Sequence, residues 1–240
     1  MRAAAALLGT ALILAACNHR GGDEEAGPAA RRDFQVAGAY DRIALSGSPD
    51  VVVAVGGAAS VRAEGDQAIL DRLEIVNENG QLKIGLRSRS GNWFSWGSHR
   101  GVTVHVTLPA LAGASVTGSG EMRIDRIEGP RFAGSVTGSG EILIAALAVG
   151  EADFSVTGSG EIAAAGAARQ ARGSVTGSGD LLLDRLEAAD ATLAVAGSGD
   201  IAIRATQTAA IEIRGSGDVT VTGPARCTIN KSGSGDAHCG

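Results

Sequence analysis

A four-residue element, Gly-Ser-Gly followed by an acid, begins at Gly118, Gly138, Gly158, Gly177, Gly197, Gly215 and Gly233. The steps between copies are 20, 20, 19, 20, 18 and 18 residues. A fragment of the same element, Gly47-Ser48-Pro49-Asp50, stands much earlier. Self-similarity at a fixed period of this length is the mark of a repeat architecture, in which each unit buries its apolar side only against its neighbours.

Alignment on the acid shows what each position demands. One residue after it stand Met122, Ile142, Ile162, Leu181, Ile201, Val219 and Ala237. Three after it stand Ile124, Ile144, Ala164, Leu183, Ile203, Val221 and Cys239. Five before it come Val116, Val136, Val156, Val175, Val195 and Ile213, then Lys231 in the last copy. These positions share one parity, the period of two expected of strands with one buried face. The other parity carries Thr, Ser, the acid and then mostly polar residues such as Arg123 and Arg204. A further apolar position follows a corner, at Ile127, Leu147, Ala167 and Leu186.

A unit of about twenty residues with two or three short strands cannot bury its apolar side alone. Stacking the units in register does so, and predicts an all-β, single-chain parallel β-solenoid of 18 to 20 residues per coil, with coils about 4.8 Å apart. The chirality of parallel crossovers makes it right-handed. With 36 glycines, 44% hydrophobic residues and 3% aromatics, the core is narrow and filled by Val, Ile, Leu and Ala. An antiparallel sandwich also has short strands, but would not return one motif seven times at one spacing. Residues 34–111 read as the same architecture in less regular form. Strands are expected at Arg42–Leu45, Val51–Val55, Val61–Ala63, Leu73–Val76, Leu82–Leu86 and Val102–Leu108, with an Asn79-Gly80 turn.

The order of features is similar to that of the bacterial head GIN domain family, labelled as an autotransporter adhesin head. The resemblance rests on the Phe34 to Ile43 opening, Asp50-Val51, Gly65-Asp66, Leu82-Lys83-Ile84 and Val106-Thr107-Leu108-Pro109-Ala110-Leu111. The Gly-Ser-Gly-acid copies and the Gly215 to Val219 element followed by Gly223-Pro224 complete it. It covers residues 34–240, and implies a β-helical fold in an envelope or surface setting without catalytic residues.

The N-terminus predicts export. Arg2 precedes an apolar run from Ala3 to Leu14, too short to span a membrane, and Leu14-Ala15-Ala16-Cys17 resembles a lipobox. Residues 1–17 read as a lipoprotein signal peptide with Cys17 as the lipid attachment point, and residues 18–33 as a flexible tether. Asn18 in place of an acid implies the outer rather than the inner membrane, with the chain anchored there through lipid. The net charge of −5 disfavours nucleic acid as a partner. No cofactor or metal motif is expected.

Candidate sites are few. The acids Glu121, Glu141, Glu161, Asp180, Asp200, Asp218 and Asp236 should stack into one outward ladder, read as solvated turn acids rather than a cation site. Calcium is the test of that reading. Outward Thr and Ser (Thr117 and Ser119, Thr137 and Ser139, Thr157 and Ser159) suggest an ice-binding face only weakly, because a charged column lies beside them. Residues 87–101 hold Arg87, Arg89, Trp93, Phe94, Trp96, His99 and Arg100, which make either a partner-binding loop or a lid folded back on the solenoid. His105 should face outward. Cys227 and Cys239 face inward in the last coil, open either to a disulfide or to two buried thiols. The reading is a non-enzymatic, lipid-anchored adhesion, binding or structural module of the cell envelope, with an unknown envelope protein or glycan as partner. The alternative is an envelope glycan-binding or glycan-cleaving protein that uses the aromatic loop.

Overall fold

A computed structural model describes residues 29–87 and 101–240. Cys17, the signal segment and residues 18–28 lie outside the described residues, as do Arg89, Trp93, Phe94, Trp96, His99 and Arg100. The elements, in chain order, are β1 (Ala29–Phe34), β2 (Arg42–Gly47), β3 (Asp50–Val55), β4 (Ser60–Asp66), α1 (Gln67–Leu70), β5 (Leu73–Glu78), β6 (Gln81–Leu86) and β7 (Val102–Leu108). The regular part follows with β8 (Gly113–Gly118), β9 (Glu121–Ile124), β10 (Ile127–Gly138), β11 (Glu141–Gly158), β12 (Glu161–Gly177), β13 (Asp180–Gly197), β14 (Ile201–Gly215), β15 (Val219–Thr222), β16 (Arg226–Gly233) and β17 (Ala237–Cys239).

From β8 onward the chain is a parallel β-solenoid of about six turns. Each rung has three sides. Side A carries the strand before the Gly-Ser-Gly corner, side B the strand that starts at the acid, and side C the stretch beginning at Ile127 and its register partners. Neighbouring rungs pair residue for residue: Val116 with Val136, Val136 with Val156, Val156 with Val175, and Val175 with Val195. The aligned columns are buried to within a few per cent of complete as far as Ile213, Val219 and Val221, as the parity demands. In the last rung Lys231 and Cys239 are exposed and Cys227 and Ala237 only partly buried, so the expected inward burial of the two cysteines is not met.

The corner explains its own glycines. Gly138 has φ +116°, and a Cβ there would meet the Gly118 carbonyl at 2.6 Å. Gly160 would put a Cβ 2.4 Å from the Gly140 carbonyl, where the two rungs touch backbone to backbone. Where the core column holds a large ring, its neighbours shrink: Phe154 sits in register between Gly134 and Gly173.

The structure corrects the expected layout in four places. Residues 29–33, assigned to the tether, belong to strand β1, which pairs antiparallel with β4 through Asp33–Arg62 and Arg31–Glu64 ion pairs. Charged side chains hide this strand from a search for apolar runs. The N-terminal segment is also not a plain continuation of parallel coils, for β1–β4, β4–β7 and β5–β6 are antiparallel, and a short helix capped by Asp66 intervenes. Asn79 and Gly80, both at positive φ, form the β5–β6 hairpin turn. In the 19-residue coil, Gly166 rather than Ala167 aligns with Leu147 and Leu186, so Ala167 is exposed. Finally, the outward column two residues after the acid is apolar in four successive rungs: Leu143, Ala163, Leu182 and Ala202.

Spatial order departs from chain order at this end. β6 and β7 stack in parallel on β2 and β3, which in turn stack on β8 and β9. The outermost rung is therefore β6–β7, and the rung that comes first in the chain lies second. Its outer edges are covered by β5 on side A and by β4 and then β1 on side B.

Candidate binding surface

The acid column forms as expected, with Glu121, Glu141, Glu161 and Asp180 in register. Its two residue types behave differently. In the Glu rungs the backbone N–H groups of Glu141 and Glu161 donate to the Gly120 and Gly140 carbonyls, each at 3.1 Å. From Asp180 onward the side chains join the ladder. Oδ1 of Asp180 accepts the Asp200 N–H at 2.9 Å, that of Asp200 accepts the Asp218 N–H at 2.8 Å, and that of Asp218 accepts the Asp236 N–H at 2.7 Å. One methylene decides this. Aspartate holds its carboxylate close enough to the backbone to reach the next rung's amide, and glutamate overshoots it. The change from Glu to Asp along the column is therefore a change from outward charge to ladder cap.

Like charges at this separation repel. Burial, then Glu141 and Asp180, push the Glu161 carboxyl above the usual carboxylate range. Elsewhere carboxylates are paired. Arg123 meets Glu121 at 2.5 Å, and Arg131 and Arg172 flank Glu151 at 2.8 and 3.8 Å. Arg131 holds the Glu151 carboxyl below its ordinary range. Among the described residues no group of three His, Cys, Asp or Glu side chains is arranged to hold a metal.

Side A carries a flat strip of short polar side chains. Ser115, Ser135, Ser155 and Ser174 form one outward column, and Thr117, Thr137, Thr157 and Thr176 form the next. Corner serines Ser119, Ser139, Ser159 and Ser178 are exposed beside them, followed by the acids. The serine and threonine columns end at Ala194 and Ala196. The expected pairing of Thr with the corner Ser is thus joined by a second serine column that parity alone would have found.

The structure fixes both ends of the aromatic, basic segment. The Arg87 N–H donates to the Arg72 carbonyl at 2.9 Å, and an Arg72 guanidinium N–H returns to the Arg87 carbonyl at 3.1 Å. Strands β6 and β7, which flank this segment in the sequence, stack on β2 and β3, whose own corner is turned by Ser48 and Pro49. His105 faces outward, as its parity requires, and meets Glu64 at 3.3 Å. In the last rung Cys227 and Cys239 are joined, with Cα atoms 6.5 Å apart and 12 residues of separation.

Residues 39–225 match the family model described as "Putative auto-transporter adhesin, head GIN domain". No curated protein sequence matches the chain. Among solved structures, a putative adhesin from Bacteroides fragilis NCTC 9343 superposes with a TM-score of 0.81 at 20% identity, covering 88% of this chain and 97% of that one. A putative lipid binding protein from Parabacteroides distasonis ATCC 8503 gives a TM-score of 0.71 at 24% identity, over 89% and 97%. A putative adhesin from Parabacteroides merdae ATCC 43184 gives 0.70 at 17%, over 89% and 96%. At these identities the likeness is one of fold.

Proposed function

Given that the chain belongs to the head GIN domain family, we propose that it is a non-enzymatic adhesion or binding module of the cell envelope, anchored to the outer membrane by lipid on Cys17. The observation that carries the binding role is the repetition of one outward Ser-x-Thr pattern in register over four rungs. A ligand with its own repeat meets the same short polar side chains at each step of about 4.8 Å. Contacts that are weak singly then add, because each one made raises the effective concentration for the next. Small side chains leave the strip flat, so it suits an extended polymer strand or a second flat surface rather than a compact substrate.

Two measurements test the two halves of this reading. Mass spectrometry of the mature protein should find an acylated N-terminal cysteine, and Cys17→Ser should move the protein out of the membrane fraction. An unmodified N-terminus elsewhere overturns the anchor. Beads coated with the protein should adhere to cells of its own or a neighbouring bacterial type, and Thr137→Lys with Thr157→Lys should reduce adherence at least tenfold. Adherence unchanged by that pair removes the strip from the function.

A further inference from the structure

Along side B the strands follow one another up the stack in the order β1, β4, β7, β3 and β9. β1 is thus the outermost strand, and among the described residues it pairs with β4 alone. The next strand in the chain is placed differently. β2 lies between β6 and β8, paired on both flanks, with Ile43 and Leu45 buried in the core.

What holds β1 is mostly polar. From Ala30 to Phe34 no side chain is fully buried, and the inward position between those two is Arg32. Its guanidinium is turned to the end of α1, donating to the Leu70 carbonyl at 3.0 Å and pairing with Asp71 at 2.6 Å. On the outward face Arg31 pairs with Glu64 at 2.9 Å, and Asp33 with Arg62 at 2.7 Å. All these groups stand in reach of solvent, where an ion pair is worth little and salt screens it. Past Val36 the chain is fixed again. Asn77 donates through Nδ2 to the Ala37 and Ala39 carbonyls at 2.9 and 3.2 Å, and Tyr40 is 7% exposed.

Ladder hydrogen bonds of stacked rungs run along the stack. A pull along that direction opens the ladder of an outermost strand one bond at a time, whereas an inner strand must break two ladders together. The described chain enters the fold through β1, at the cap, and the Ser-x-Thr strip lies on the regular rungs beyond it. A load between the N-terminus and the strip therefore reaches β1 first.

We propose that β1 is a release strand: load on the N-terminus peels residues 29–36 from β4, and Asn77 with the buried Tyr40 stops the peeling before any rung is disturbed. Eight residues of extended chain lengthen the connection by about 28 Å. When the load falls, the ion pairs reseat the strand. The device rests on the proposed anchor and strip only for the source of the load. A measurement that applies the load directly therefore fails separately from them.

The oxidised full-length chain can be held through Cys17, the cysteine outside the Cys227–Cys239 bond, and through Ser178→Cys at an exposed corner. In an optical trap the first event should be a reversible gain of about 28 Å at a lower force than any later event. At fixed load Arg31→Glu, which sets two acids against each other, should shorten the docked lifetime about threefold, and Arg31→Glu with Glu64→Arg should restore it. A first gain of about 45 Å or more would mean that the chain comes free as far as β2. That result, the absence of any gain before the whole body unfolds, or a lifetime indifferent to Arg31→Glu would each overturn the proposal.

Discussion

At the N-terminal end of the solenoid the open sheet edges are covered by backbone: β5 lies along one, and β4 and then β1 along the other. At the C-terminal end β16 and β17 lie bare, with most of their residues exposed. Covering an edge satisfies its N–H and C=O groups and hides the apolar columns behind it. The bare end relies on side chains instead. A disulfide joins two sides of the last rung, and Lys231 stands in the column that holds valine or isoleucine in every earlier regular rung, held outward by Asp236 at 3.2 Å. A charge in a core column is a device against edge-to-edge pairing. The contrast teaches that a stack of repeats can guard an exposed rung either by changing strand direction or by spoiling its own pattern.

The sharpest test uses one column at two depths. Ile211 is 2% exposed and Ile229, its register partner in the last rung, is 47% exposed. Ile211→Ala should cost about 3 kcal/mol in denaturant unfolding, whereas Ile229→Ala should cost less than about 1 kcal/mol. Equal costs would mean that the last rung is as well packed as the interior.

Removing the cross-link should come next. With Cys227 and Cys239 both changed to Ser, opening of the last rung should become easier by about 2–3 kcal/mol, the chain-entropy worth of a dozen-residue loop. Amide exchange should accelerate in 226–239 and stay unchanged in β4 and β5. Uniform acceleration would show that the two ends are not independent.

Lys231→Ile restores the column and so removes the charge that spoils it. This variant should self-associate end to end, seen by light scattering as a mean mass about twice the parent's at tens of micromolar. A variant with the parent's mass at every concentration would show that Lys231 does not protect the end.

The smallest effect separates the stacked charges of the regular rungs from the alternating charges of the cap. The folded pKa of Glu161 is raised, so its contribution to stability is present below its unfolded pKa and lost as pH rises through the folded value. Glu161→Gln should therefore raise the melting temperature slightly at pH 7 and leave it unchanged near pH 3. Glu64 has the opposite sign. Hydrogen bonds from Arg31 and then His105 lower its pKa, so its contribution is present at neutral pH and lost as pH falls. Glu64→Gln should lower the melting temperature at pH 7 and matter less in acid. The same sign for both would refute the distinction.

The regular rungs were legible because one residue type recurs at each buried position, and the register pairs of Val116 to Ile213 restate the sequence alignment directly. Strand positions from Arg42 to Leu108 were equally legible, β1 being hidden by its charges, but their directions were not. A period of two is the same for parallel and antiparallel strands, so nothing in Val61–Ala63 or Leu73–Val76 says which way its partner runs. Asn79-Gly80 was the exception, since its dihedrals demand a hairpin. The role of the aspartates also escaped the sequence, which shows an acid column but not whether a carboxylate faces water or a neighbouring amide.

The placing of the chain's first rung second in space bears on how the molecule is assembled. Synthesis delivers the N-terminal part first, so β2 and β3 exist before either neighbour and begin with both flanks vacant. The stretch from β4 to β7 then closes one flank for good, leaving a single growing front to which every later rung must be added. Direction of growth is thereby set by a crossing of the chain and not by its terminus. Whole units can be gained or lost beyond that front without disturbing the cap, so the length of this molecule is free to drift in steps of about twenty residues while the N-terminal cap stays the same.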